Sequence, residues 1–183
     1  LDSRPWIIRV ISKFKPPIPS FFIEKSVPIF GDTVDRTAEL VKLRANVAAG
    51  IHTVLCGERG VGVSHLLKKI DREGIYRLDD LKPPKEKLME LCVMMKKEGV
   101  LSEIPKGSTS GVLKFLIEAV KDKHYTLIID SISDITADGV SLLRKLKEHF
   151  TIITAIDAKK RSKIKEIFFG IHETIEINNL NND

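Results

Sequence analysis

The stretch "GERGVGVSHLL", residues 57–67, decides how the rest of the chain is read. A short β-rich run, "HTVLCG", leads into it, and "VSHLLKKIDRE" leaves it with the apolar spacing of a helix. A glycine-rich turn between strand and helix directs backbone N–H groups inward as an anion nest. The following helix adds the positive end of its dipole. The phosphate-loop pattern is G-x-x-x-x-G-K-[ST]. Gly57, Gly62 and Ser64 stand in their places, but Val63 stands where the pattern has lysine. The run Gly57, Glu58, Arg59, Gly60, Val61, Gly62, Val63, Ser64 and His65 is the candidate nucleotide-binding segment, with the Ser64 hydroxyl facing Mg²⁺. Arg59 is a candidate replacement for the missing positive charge, although it falls in the outward-facing middle of the loop. The alternative is a chance strand–turn–helix that happens to carry these glycines.

A second stretch supports the first. In "YTLIID", Thr126 to Ile129 form a buried β-run that ends in Asp130. A carboxylate at the carboxyl end of such a strand holds magnesium near the loop hydroxyl, so Asp130 joins Ser64 as a metal candidate.

The remaining chain agrees with an α/β protein. "TAELVKLRANVAAG" reads as a helix ended by Gly50 and "GIYRLDD" as a strand. Residues 85–97, 111–122 and 138–149 read as helices, "FTIITAID" as a strand, "KKRSKIKEIFF" as a helix and "HETIEI" as a final strand. Alternating units with near-continuous apolar strands point to a parallel sheet covered on both faces. Residues 1–27 form a separate arm. "PWIIRVISKF" carries one apolar helical stripe, and "KPPIPS" breaks it. That arm either packs across the core domain of residues 28–183 or acts as a basic amphipathic anchor. The chain opens at Leu1 and ends on "NNLNND", so it is expected to be part of a longer protein.

Composition excludes some classes. The 183 residues are 43% hydrophobic and 30% charged, with a formal net charge of +5. That mild excess permits nucleic acid or an acidic surface as a partner without demanding either. Cys56 and Cys92 are the only cysteines and lack metal-ligand spacing, which suits a reduced, cytoplasmic setting. None of His52, His65, His124, His149 and His172 pairs at metal spacing, and no nucleophile–base pair can be read. No run is long enough to cross a membrane. The run Lys159, Lys160, Arg161, Lys163 and Lys165 is either a solvated helix face or a contact to a phosphate backbone.

From residue 28 onward, "PIFGDTVDRTAELVKLRANVAAGIHTVLCGERGVGVSHLL" resembles the opening of an archaeal-type AAA+ ATPase close to the origin-recognition group. The resemblance implies a P-loop NTPase three-layer sandwich whose five parallel strands run in the order 5-1-4-3-2, here without the family's helical lid. It implies ATP or ADP with Mg²⁺ as ligand. Ile29 and Phe30 would cover the adenine, "RTAEL" would lead into the first helix, and Thr154 or Asp157 on the sensor strand would contact the γ-phosphate or attacking water. Self-association, protein subunits and DNA are the partners it implies, with Arg144 or Arg161 facing a neighbouring site.

Two departures from the family pattern shape the functional expectation. The absent lysine removes a hydrogen bond to a charged group, worth about 1.5–3 kcal/mol. Ser131 stands where the family has a glutamate base, and Asp79, Asp80 or Asp134 are candidate substitutes. A nucleotide-binding switch or assembly subunit with slow or no hydrolysis is the favoured expectation. A nucleotide-free scaffold and an active ATPase with a compensated or introduced Val63 are the alternatives. A small-molecule kinase ranks below these, because no arginine-rich lid is evident.

Overall fold

The computed structural model describes residues 36–168 and 172–178. The arm expected over residues 1–27, together with Ile29 and Phe30, lies outside them. In chain order the elements are α1 (Thr37–Ala48), β1 (Thr53–Gly57), α2 (Val63–Lys68), β2 (Ile75–Leu78), α3 (Pro84–Lys97) and α4 (Thr109–Val120). They continue with β3 (Tyr125–Ile129), α5 (Ala137–Leu146), β4 (Phe150–Asp157), a 3₁₀ turn (Ala158–Lys163), α6 (Ile164–Ile167) and β5 (Glu173–Ile177).

The five strands form one sheet in the order β2-β3-β4-β1-β5. Every pairing is parallel. This is the expected 5-1-4-3-2 order read from the other edge. Strand side chains alternate between two apolar layers. Val54, Cys56, Leu127, Ile129, Ile152 and Ile156 face a larger core closed by α3, α4, α5 and α6. Leu55, Ile128, Ile153 and Ala155 face a smaller core closed by α1 and α2. β1 sits between β4 and β5, so the loop that follows it leaves from the sheet interior.

Local chemistry sets the helix ends. Ser108 and Thr136 cap α4 and α5 by accepting the N–H groups of Gly111 and Gly139. Proline at the start of α3 is tolerated because the first-turn N–H has no helical acceptor. α2 stops at Lys68, well before the helix expected through "KKIDRE". The guanidinium of Arg77 on β2 donates to the carbonyls of Leu67, in the last turn of α2, and of Ile70 just beyond it, satisfying acceptors that a continuing helix would have used. The helix expected over "KKRSKIKEIFF" is a 3₁₀ turn followed by the short α6. The Asp157 carboxylate caps that turn by accepting the Lys159 N–H at 3.0 Å, and this local bond favours the tighter geometry.

Candidate nucleotide site

The loop between β1 and α2 curls over the carboxyl ends of β1, β3 and β4. Gly57 is packed so closely that a Cβ there would lie 2.9 Å from both the Ile177 carbonyl and Val61 Cγ2. Gly62, the N-cap of α2, has φ 91°, a left-handed conformation that glycine adopts without strain. The Leu66 N–H is bonded to the Gly62 carbonyl at 3.0 Å. The amides preceding Leu66 in the first turn therefore have no intrahelical acceptor, and Val63, Ser64 and His65 line the cavity described next.

A cavity of about 350 Å³ lies against this loop. Gly57, Glu58, Arg59, Gly60, Gly62, Val63, Ser64 and His65 line it on one side. Asp130, Ser131, Ser133 and Asp134 line it from the β3 side, and Ala155, Ile156 and Asp157 from the β4 side. Three separated segments of the sequence thus meet at one site. Asp130 is held there by the sheet, its N–H donating to the Leu78 carbonyl at 2.8 Å. Its Oδ1 is buried and, among the described residues, has no hydrogen-bond partner.

Two candidates fall elsewhere. Val61 turns away from the cavity and packs on the smaller core. Thr154 is fully buried and does not line the cavity. Its hydroxyl donates to the Ile129 carbonyl at 2.7 Å. The alternation of β4 explains this: Thr154 shares a face with Ile152 and Ile156, whereas Asp157 ends the strand at the cavity. Of the two residues the resemblance suggested for the sensor strand, the structure brings Asp157 to the site.

Val63 lines the cavity and also packs against the smaller core. Ser131 Oγ accepts the Ser133 N–H at 3.3 Å. Asp79 and Asp80 do not line the cavity. Asp80 instead accepts the Lys82 N–H at 3.1 Å and lies 3.8 Å from Lys87 Nζ, so a rescuing base is not placed there. Asp134 is at the rim, engaged by Lys160. Arg144 donates to the Glu166 carbonyl at 2.8 Å and Arg161 pairs with Glu176 at 2.9 Å, so both make contacts within the chain.

One positioning residue was legible only as part of the "RTAEL" match. Arg36 donates to the Val61 carbonyl at 3.1 Å, to the Asn178 carbonyl at 2.7 Å and to Glu39 at 3.1 Å. It thereby ties the loop to the end of β5. Its two carbonyl partners lie 25 and 142 residues away, beyond the reach of any local pattern.

No family model matches the chain, and no curated protein matches it. Solved structures do. A chain of Drosophila ORC bound to DNA superposes with a TM-score of 0.57 at 11% identity, over 80% of this chain and 92% of that one. Cdc6p from Pyrobaculum aerophilum gives 0.55 at 14% identity, over 82% of this chain and 48% of that one. The ORC1 protein of Aeropyrum pernix in complex with DNA gives 0.53 at 15% identity, over 86% and 48%. The chain thus spans about half the length of the latter two. The chain shares with these ORC and Cdc6p chains an α/β fold built on a five-stranded, all-parallel sheet. No helix among the described residues is long and apolar enough to cross a membrane.

Proposed function

We propose that this chain binds ATP or ADP with Mg²⁺ in the loop cavity, hydrolyses it slowly or not at all, and acts as a nucleotide-dependent switch or assembly subunit. The observation that carries the reading is the buried, unpartnered Oδ1 of Asp130 at the cavity. Leaving such an atom unsatisfied costs about 1–3 kcal/mol, more for a charged group. A hydrated magnesium ion, which typically takes one or two carboxylates and the substrate phosphates, relieves that cost. Asp130 and Ser64 are the residues that would hold it, and the ion when bound neutralises phosphate charge. The concave loop from Gly57 to His65 offers amide donors to the phosphates.

Slow turnover follows from what the site lacks. Ser131 is no base, and its oxygen already accepts an amide proton. Val63 offers no charge to a transferring phosphoryl group. Ile29 and Phe30 remain the adenine-covering candidates by resemblance alone. DNA and further protein subunits are the partners proposed. This rests on the fold likeness to ORC and Cdc6p proteins, two of them described in DNA complexes, and on the +5 charge.

One observation favours a second reading, a scaffold without nucleotide. Val63, where the pattern has lysine, lines the cavity as an apolar side chain packed on the smaller core. Calorimetric titration of Mg-ATP into the native chain and into Val63→Lys separates the two. The nucleotide reading expects binding by the native chain, tightened about tenfold or more by lysine. Absence of heat from both proteins gives the scaffold reading.

A further inference from the structure

The cavity wall carries four carboxylates, Glu58, Asp130, Asp134 and Asp157, against the single guanidinium of Arg59. A polyphosphate meeting that wall needs cations besides magnesium, and residue 63 brings none. Two basic side chains stand at the mouth. Arg59 lies 3.6 Å from Asp157. Lys160 Nζ donates to the Ser133 carbonyl at 3.0 Å and to the Asp134 carboxylate. Both acceptors belong to cavity-lining residues, so the ammonium group is held next to the cavity wall although Lys160 does not itself line it.

The chain fixes Lys160 there. Asp157 caps the turn that carries it by accepting the Lys159 N–H. The Asp157 N–H in turn donates to Ser133 Oγ at 3.0 Å. The Lys160 side chain is 33% exposed, whereas that of Asp134 is 73% exposed. Lys160, followed by Arg59, holds the Asp134 carboxyl below its ordinary range, so all three groups share one electrostatic neighbourhood.

We propose that Lys160, together with Arg59, gives the phosphates of a bound nucleotide the cationic contacts that residue 63 lacks, by exchanging Asp134 for a phosphate oxygen. This deepens the nucleotide reading and rests on it. The exchange is favourable because an exposed ion pair is weak and its abandoned carboxylate stays in water. A polyphosphate carries several negative charges where Asp134 carries one, so it attracts the ammonium group more strongly. Lys160 thereby leaves the basic run that the sequence offered to DNA.

The test is calorimetric titration of Mg-ATP into the 183-residue chain and its variants, with thermal melts of each. Lys160→Met is expected to weaken binding about tenfold, the size of one lost charged hydrogen bond. Asp134→Asn is expected to tighten it, because the competitor for Lys160 is gone. In a Val63→Lys background, Lys160→Met costs less, since either cation serves. If Lys160→Met fails to fold, Lys160→Gln replaces it, and Asp134→Asn is repeated in that background: tightening that is as large without the Lys160 ammonium group reflects lost repulsion and overturns the exchange. A native chain that binds equally well without Lys160 overturns this inference and leaves the nucleotide reading standing. An Asp134→Asn variant that binds more weakly overturns it in favour of a merely structural pair. A native chain that binds no nucleotide overturns both.

Discussion

On one face of the sheet, four helices bury Leu88, Leu91, Met95, Leu116 and Leu143 almost completely. On the other face, α1 and the six-residue α2 close a smaller core around Leu43, Leu55, Leu66 and Leu67. The phosphate-loop geometry rests on this second, thinner side. Polar clamps hold it where apolar area is short. Arg36 fastens the loop, Arg77 holds the end of α2, and buried Asn46 donates to Thr53 at 3.0 Å to tie α1 to β1. Stability is not uniform across such a molecule, and ligand-binding segments are drawn from its weaker end.

The largest test sets one substitution on each face. Leu116→Ala, fully buried in the larger core, should cost about 2–5 kcal/mol of global stability in urea unfolding. Leu66→Ala, 2% exposed beneath the loop, should cost about 2 kcal/mol, the low end of that range. It should also speed amide exchange selectively through residues 58–70. Uniform acceleration across the whole chain would erase the distinction between the faces.

Gly57→Ala comes next. Its Cβ would press on the Ile177 carbonyl at 2.9 Å, a backbone atom that cannot swing aside. Overpacking of this kind costs about 1–3 kcal/mol, and the melting temperature should fall along with nucleotide affinity. An unshifted melt would mean that the loop and β5 are not as tightly apposed as the glycine implies.

Arg36→Ala probes the clamp itself. Losing bonds from a guanidinium should cost about 1.5–3 kcal/mol at most, with faster exchange near Val61. Arg36→Lys should not restore it, because an ammonium cannot reproduce the planar fork that reaches two carbonyls. Full rescue by lysine would show that charge alone suffices.

The smallest effect concerns pH. His52 Nδ1 accepts the Ile152 N–H at 3.0 Å. Burial first, then Lys147 and His172, push its pKa below the ordinary 6.5. The unfolded chain therefore takes up the proton at a higher pH than the folded one. The stability contributed by neutral His52 is full above about pH 6.5 and is lost as pH falls through the depressed folded value. His52→Gln should flatten that slope in thermal melts between about pH 7 and 5, the range around an ordinary histidine pKa. An unchanged slope would assign the dependence to another group.

The sequence by itself determined the elements whose signal is local. Strand β1, its glycine turn and the amphipathic segment beyond it could be read from spacing. So could the apolar strand ending in Asp130, because period-two and period-3.6 patterns and left-handed glycines depend on near neighbours. The missing lysine and the serine at 131 were equally plain. What only the tertiary structure decided was which side chains meet. Thr154 faces inward because of the pleat of β4, and Asp157 takes the cavity edge. Lys160 reaches Asp134 across 26 residues, and Arg36 reaches Asn178 across 142. No periodicity encodes such contacts. They arise when a parallel sheet brings distant strand ends to one edge, and at that edge the charges of this site find their partners.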